Sequence, residues 1–98
     1  MKTVENIKKV LNRHKKVLQT KFNVKEMGIF GSYVRNEQKK QSDLDILVEF
    51  EEVPSFFQFI ELEDYLKDIL GVSVDLVRKK ALREELREII LRETVEVM

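Results

Sequence analysis

The sequence contains no cysteine, so disulfides, thiolate metal ligands and thiol nucleophiles drop out together, as suits a cytosolic protein. It also lacks an excess of either charge: 18 Lys and Arg balance 18 Asp and Glu for a formal net charge of zero. The two signs are interspersed, and no basic tail or stripe supplies the electrostatic affinity on which nucleic-acid binding usually rests. Direct nucleic-acid binding is therefore disfavoured. No apolar run approaches the length of a membrane span, and Met1 leads into a charged amphipathic segment rather than a signal-peptide core. No membrane partner is expected, and the expected location is cytoplasmic. Linkers, internal repeats and low-complexity tracts are absent too, and 98 residues suffice for one small domain spanning 1–98, with a single core.

What the chain does have is charge, at 37% of residues against a usual ~25%. Much of it is Lys and Glu, a bias found in heat-adapted proteins.

Hydrophobic periodicity orders the chain. Thr3 can cap a first helix in which Val4, Ile7, Leu11, His14 and Leu18 share one face, running to about Lys21. Val24 to Phe30 reads as a strand that stops at Gly31, and Ser32 is placed to cap a short helix to about Asn36. The polar run from Asn36 to Ser42 is a loop. Leu44 to Phe50 alternates Leu44, Ile46, Val48 and Phe50 with Asp45, Leu47 and Glu49, as a strand with both faces partly covered does. Ser55 and Gln58 form a capping box for a helix burying Phe56, Phe59, Leu62, Leu66, Ile69 and Leu70, with Gly71 as its stop. Val72 to Val77 is a third strand, and Leu82 to about Arg92 a last helix burying Leu82, Leu86, Ile89 and Ile90. The order αβαβαβα predicts an α+β domain, one small mixed sheet of about three strands flanked by helices.

The chemistry concentrates between Gly31 and Asp45. Asp43 and Asp45 stand two apart on a strand and project from one face, with Cα atoms roughly 6.5 to 7 Å apart. The same parity sets Asp75 opposite Val74 and Leu76 on the third strand, so if the two strands are neighbours, three carboxylates meet. Carboxylates without His or Cys nearby suit a hard, oxygen-preferring cation such as Mg²⁺. Two such ions ~3.5 to 4 Å apart hold an attacking and a leaving oxygen in line about phosphorus, with Asp75 as the natural residue to receive the acceptor's proton. Gly31 lacks a Cβ and lets a phosphate approach the backbone, Ser32 adds a hydroxyl donor, and Arg35, one turn on, can reach a phosphate or form a surface ion pair.

Gly31-Ser32, ten intervening residues, then Asp43-Leu44-Asp45 resembles the GS-x10-DxD signature of the DNA polymerase β-like nucleotidyltransferase superfamily. Asp75 matches its third carboxylate, and the chain is similar over nearly its whole length to the minimal nucleotidyltransferase (MntA-like) family. The resemblance implies the nucleotidyltransferase fold and an antitoxin that adenylylates a tyrosine of a HEPN ribonuclease toxin, using ATP and two Mg²⁺ ions. Carried over, Gly31 and Ser32 hold the triphosphate, while Asp43, Asp45 and Asp75 bind metal, with Asp43 and Asp45 catalytic and Asp75 joining them as the expected proton acceptor. The family often has Arg-Gly after this turn. Here Asn36 follows Arg35, and Asn tolerates the left-handed backbone better than most residues.

The simpler readings are structural. His14, the only histidine, is expected to pack on the first helix's apolar face rather than act as a base. Phe56, Phe57 and Phe59 are expected in the core, with one exposed at a partner surface, rather than as a base-stacking platform. Two other functions compete with the adenylyltransferase: a non-catalytic antitoxin or interaction module of the same fold, and a nucleotidyltransferase acting on a small molecule.

Overall fold

The computed structural model describes residues 3–98; Met1 and Lys2, the start of the amphipathic segment read above, lie outside them. Thr3 caps the first helix, α1 (Val4–Arg13), its hydroxyl accepting from the Asn6 amide. The predicted helix does not run on unbroken to Lys21. It tightens at His14, whose amide donates to Leu11 O, and restarts as α2 (Lys15–Thr20). The Ile7, Leu11 and Leu18 stripe nonetheless stays fully buried. His14 is structural: its ring Nδ1 donates to the Val10 carbonyl at 2.9 Å and its ring meets Tyr65 edge-on.

Strands β1 (Val24–Phe30) and β2 (Leu44–Phe50) form where the alternation places them. Helix α3 (Phe56–Leu70) opens on the capping box, with Ser55 Oγ accepting from the Gln58 amide and Gln58 Oε1 accepting from the Ser55 amide, and closes on Gly71 at φ 68°. β3 (Val74–Arg78) starts two residues later than the period suggests. A 3₁₀ turn over Lys79–Ala81 leads to α4 (Glu84–Glu93) and then β4 (Val95–Glu96).

The sheet has four strands in the order β3-β2-β1-β4, one more than expected. β1 lies antiparallel to both β2 and β4, and β2 parallel to β3. A parallel neighbour needs a crossover, which α3 provides. β4 is too short to announce itself by alternation. It is held by tertiary contacts: the Val97 amide donates to Met27 O, Val97 is buried, and the chain lies so close to Gly28 that a Cβ there would stand 2.4 Å from Thr94 Cγ2.

One sheet face, carrying Met27, Ile29, Leu44, Ile46, Val48 and Leu76, packs with Ile7, Leu11, Leu18, Leu62, Leu66 and Leu70 into the core. The other presents Glu26, Gly28, Asp45, Leu47, Glu49 and Asp75 by strand parity, and α4 crosses it loosely. Between them lies a cleft of about 410 Å³ in which Lys79 stands 3.8 Å from Glu26 and 3.7 Å from Glu49. This face offers α4 little apolar surface, so the expectation that Leu86 and Ile89 are buried fails. They are 43% and 63% exposed, and α4 has no buried residue. Phe56 also departs from its expected place: it and Phe57 are exposed at the start of α3, and only Phe59 packs, against Phe50. Among the described residues, no helix is long and apolar enough to cross a membrane.

Candidate active site

Three backbone segments meet at one edge of the open face: the end of β1, the start of β2 and the start of β3. Phe30 pairs with Asp45 across the antiparallel ladder, and Asp45 pairs with Asp75 across the parallel one. Register places the two carboxylates on one face of adjacent strands, as parity predicts. They touch through a side-chain hydrogen bond, and Asp43, exposed just ahead of β2, acts on Asp45 through its charge. The site thus brings Asp45 and Asp75 together with Asp43 at electrostatic range. Among the described residues no three carboxylate or histidine side chains are gathered as a ready ligand set.

Asp45 bears the cost of the arrangement. Burial, then the charge of Asp75, their hydrogen bond and the charge of Asp43 push its carboxyl up to about 6, with Arg35 opposing. The folded form therefore holds a proton that the unfolded chain, near 3.8, has lost. This stabilises the metal-free protein at pH below that unfolded value, and the gain is lost as pH rises through about 6. After allowance for partial solvent screening, the loss is about 1 kcal/mol. Denaturant titrations between pH 4 and 7 are expected to show this fall in wild type and its removal in Asp45→Asn, so the variant is the more stable protein at neutral pH.

Gly31 leaves β1 at φ 81° and starts a tight turn, Gly31–Tyr33, rather than the helix expected from Ser32. No side chain caps this turn, so Ser32 is not the predicted cap. The chain then closes as a helix end does: the Asn36 amide donates to Tyr33 O, the Glu37 amide to Ser32 O, and Asn36 sits at φ 58°. That is the six-to-one and five-to-two pairing of a Schellman motif, whose left-handed residue is normally Gly and sometimes Asn. Asn36 therefore keeps the turn that a Gly would otherwise make.

The reason for a glycine at position 31 is sharper than phosphate access. A Cβ there would stand 2.1 Å from Asp45 Oδ2, so the carboxylate occupies the space a side chain would take. Arg35 leaves the turn outward, its Nε donating to Glu37 at 2.7 Å and its Nη1 to Glu93 at the end of α4. The ion pair foreseen for Arg35 forms, with Glu37 and Glu93 as its partners.

Two contributors escaped sequence reasoning. Tyr33 is buried and anchors the turn, its phenol pKa raised by burial and by Asp43. Glu93 reaches Arg35 from 58 residues away, and no local signal marks such a pair.

A strand ending in Gly-Ser, then in-register aspartates on two parallel strands, defines a nucleotidyltransferase-type domain. The family model for the nucleotidyltransferase domain matches residues 11–97, and the chain belongs to that family. It is 54% identical over 97 residues, 99% of this chain and 98% of the other, to Protein adenylyltransferase MntA of Thermococcus cleftensis. Among solved structures, a minimal nucleotidyltransferase superposes with a TM-score of 0.73 at 35% identity, covering 91% of this chain and 93% of that one. A toxin-antitoxin crystal structure with AMP-PNP also gives 0.73, at 25% identity, covering 89% of this chain and 71% of that one.

Proposed function

We propose that this protein is an adenylyltransferase that moves AMP from ATP onto a hydroxyl, a tyrosine, of a cognate HEPN-domain toxin in the cytoplasm, and so acts as its antitoxin. The observation that carries the reading is the in-register Asp45 and Asp75 pair beside Gly31, in a chain 54% identical to a protein adenylyltransferase across nearly its full length. The toxin-antitoxin neighbour with AMP-PNP supports both an adenine nucleotide as donor and a toxin as partner.

The donor set suits Mg²⁺: Asp43, Asp45 and Asp75 offer only oxygen, and the charges of Asp75 and Asp43 both act on the half-buried Asp45 carboxyl, which a divalent cation would offset. Asp43, Asp45 and Asp75 would hold two such ions, which when bound neutralise charge on the phosphates and favour ionisation of the acceptor hydroxyl. The chain's own groups do the rest. Gly31, buried against Asp45, and the half-buried Ser32 would line the site for the triphosphate, and Arg35 stands beside the turn to receive phosphate charge. Asp75, on the exposed side of the pair, accepts the proton of the attacking hydroxyl. The acceptor oxygen forms a bond to the α-phosphorus as the bond to the β-phosphate oxygen breaks, and pyrophosphate leaves.

Labelled nucleotide tests this. With Mg²⁺ and the cognate HEPN-domain protein, α-labelled ATP is expected to mark the partner with release of pyrophosphate, while γ-labelled ATP leaves it unmarked. Label from neither nucleotide would favour an antitoxin that works by binding alone.

A further inference from the structure

The last helix keeps apolar side chains in water. Leu86 is 43% and Ile89 63% exposed, and both lie on the helix face that ends in Glu93. Steps of three, four and seven residues return to one side of an α-helix, so Leu86, Ile89 and Glu93 form a stripe. Glu93 accepts a hydrogen bond from Arg35, four residues beyond Gly31. The stripe therefore starts at the Gly-Ser turn and runs along α4, reaching Leu86 about 10 Å from Glu93 at ~1.5 Å per residue.

We propose that the Leu86 and Ile89 stripe of α4 is the docking surface for the protein that carries the acceptor hydroxyl. The inference rests on the adenylyltransferase reading and says where the partner sits. Continuity is the main argument: a hydroxyl on a protein must be delivered to the open sheet face from solvent, and α4 is the element that crosses this face beside the cradle. Charge is the second. Two ionised pairs flanking the stripe close on their own segment, Arg92 with Glu88 at 2.5 Å and Arg83 with Glu85 at 3.8 Å. A rim of mixed, partly self-paired charge suits an apolar protein surface better than a polyanion. Another exposed apolar group, Val53, Phe56 and Phe57, lies beyond the far end of β2 from Asp45, roughly 17 Å along the strand, and is not continuous with the site.

The test is the Leu86→Glu, Ile89→Glu double variant, with Phe57→Glu as a control for any surface charge. Both sites are exposed, so the variants are expected to fold, with melting temperatures close to wild type. For transfer from α-labelled ATP to the cognate HEPN-domain protein, the double variant is expected to raise KM for that protein at least tenfold. Its kcat at saturating acceptor and its ATP affinity by calorimetry should be unchanged. Ile89→Leu should restore wild-type KM when tested against Ile89→Glu, and Phe57→Glu should leave KM as it is. Unchanged KM in the double variant, or an equal rise in Phe57→Glu, overturns the proposal. So does a wild-type protein that self-associates through the stripe while its double variant is monomeric with normal KM. Failure of the adenylyltransferase reading shows separately, as absent transfer by wild type. Sedimentation of the complex then decides docking: loss of the complex in the double variant supports the surface, and its persistence refutes it.

Discussion

Replacing Asp43 and Asp45 together by Asn is expected to lower AMP transfer by about 10³-fold or more, the upper range for loss of one preorganised electrostatic stabiliser, while binding of the HEPN-domain partner persists. Asn keeps the shape and some hydrogen bonding but removes the negative charges that would hold cations against the triphosphate. The loss is not one of folding. Asp45 is destabilising in the metal-free protein because burial and its acidic neighbours oppose its charge, so the variant should unfold at higher denaturant than wild type at neutral pH. Lower activity with higher stability is the trade-off expected where a site gathers like charges for function. Labelled-ATP transfer, calorimetry with the partner and a denaturant melt on one preparation check all three results. If the variant still transfers label at a wild-type rate, the carboxylates are not the catalytic groups.

The second large effect is expected at Gly31. Gly31→Ala and Gly31→Val should both abolish transfer, and to a similar degree, because the obstructing atom is the Cβ that they share, 2.1 Å from Asp45 Oδ2. An account based only on phosphate access would instead make Val much worse than Ala. The positive φ of 81° adds a backbone penalty of about 1–2 kcal/mol for any L side chain, so a lower melting temperature should accompany the lost activity. Ser32→Ala leaves the backbone intact and should weaken ATP binding only modestly. Calorimetric titration with ATP and Mg²⁺ across the three variants separates these outcomes; an Ala variant with full transfer would show that Asp45 can move aside.

Much of the site follows from local rules acting on particular residues. The alternation from Leu44 to Phe50 sets Asp45 opposite the core positions, and the same parity sets Asp75. Thr3, Ser55, Gln58 and Gly71 mark helix ends that form as their side chains predict. Asn36 adopts the left-handed conformation for which it stands in for Gly. Other features escaped because their cause is not local. His14 fits the helical period, yet the helix tightens there, and its ring bonds back to Val10 and packs on Tyr65. Phe56 fits the apolar period of α3 but lies at its first turn, beyond the elements that could cover it.

The sequence by itself determined which residues share a face, where α1 and α3 open and α3 closes, and which carboxylates could meet, because side-chain parity, capping and backbone preference act over a few neighbouring residues. Only the tertiary structure decided that β2 and β3 are parallel neighbours in register, so that Asp45 and Asp75 touch. It alone decided that a two-residue fourth strand closes the sheet against Gly28, that Glu93 crosses 58 positions to hold Arg35, and that α4 keeps Leu86 and Ile89 in water. Each depends on what an element packs against, and helical periodicity can specify an apolar face without specifying whether the sheet opposite it is greasy or charged.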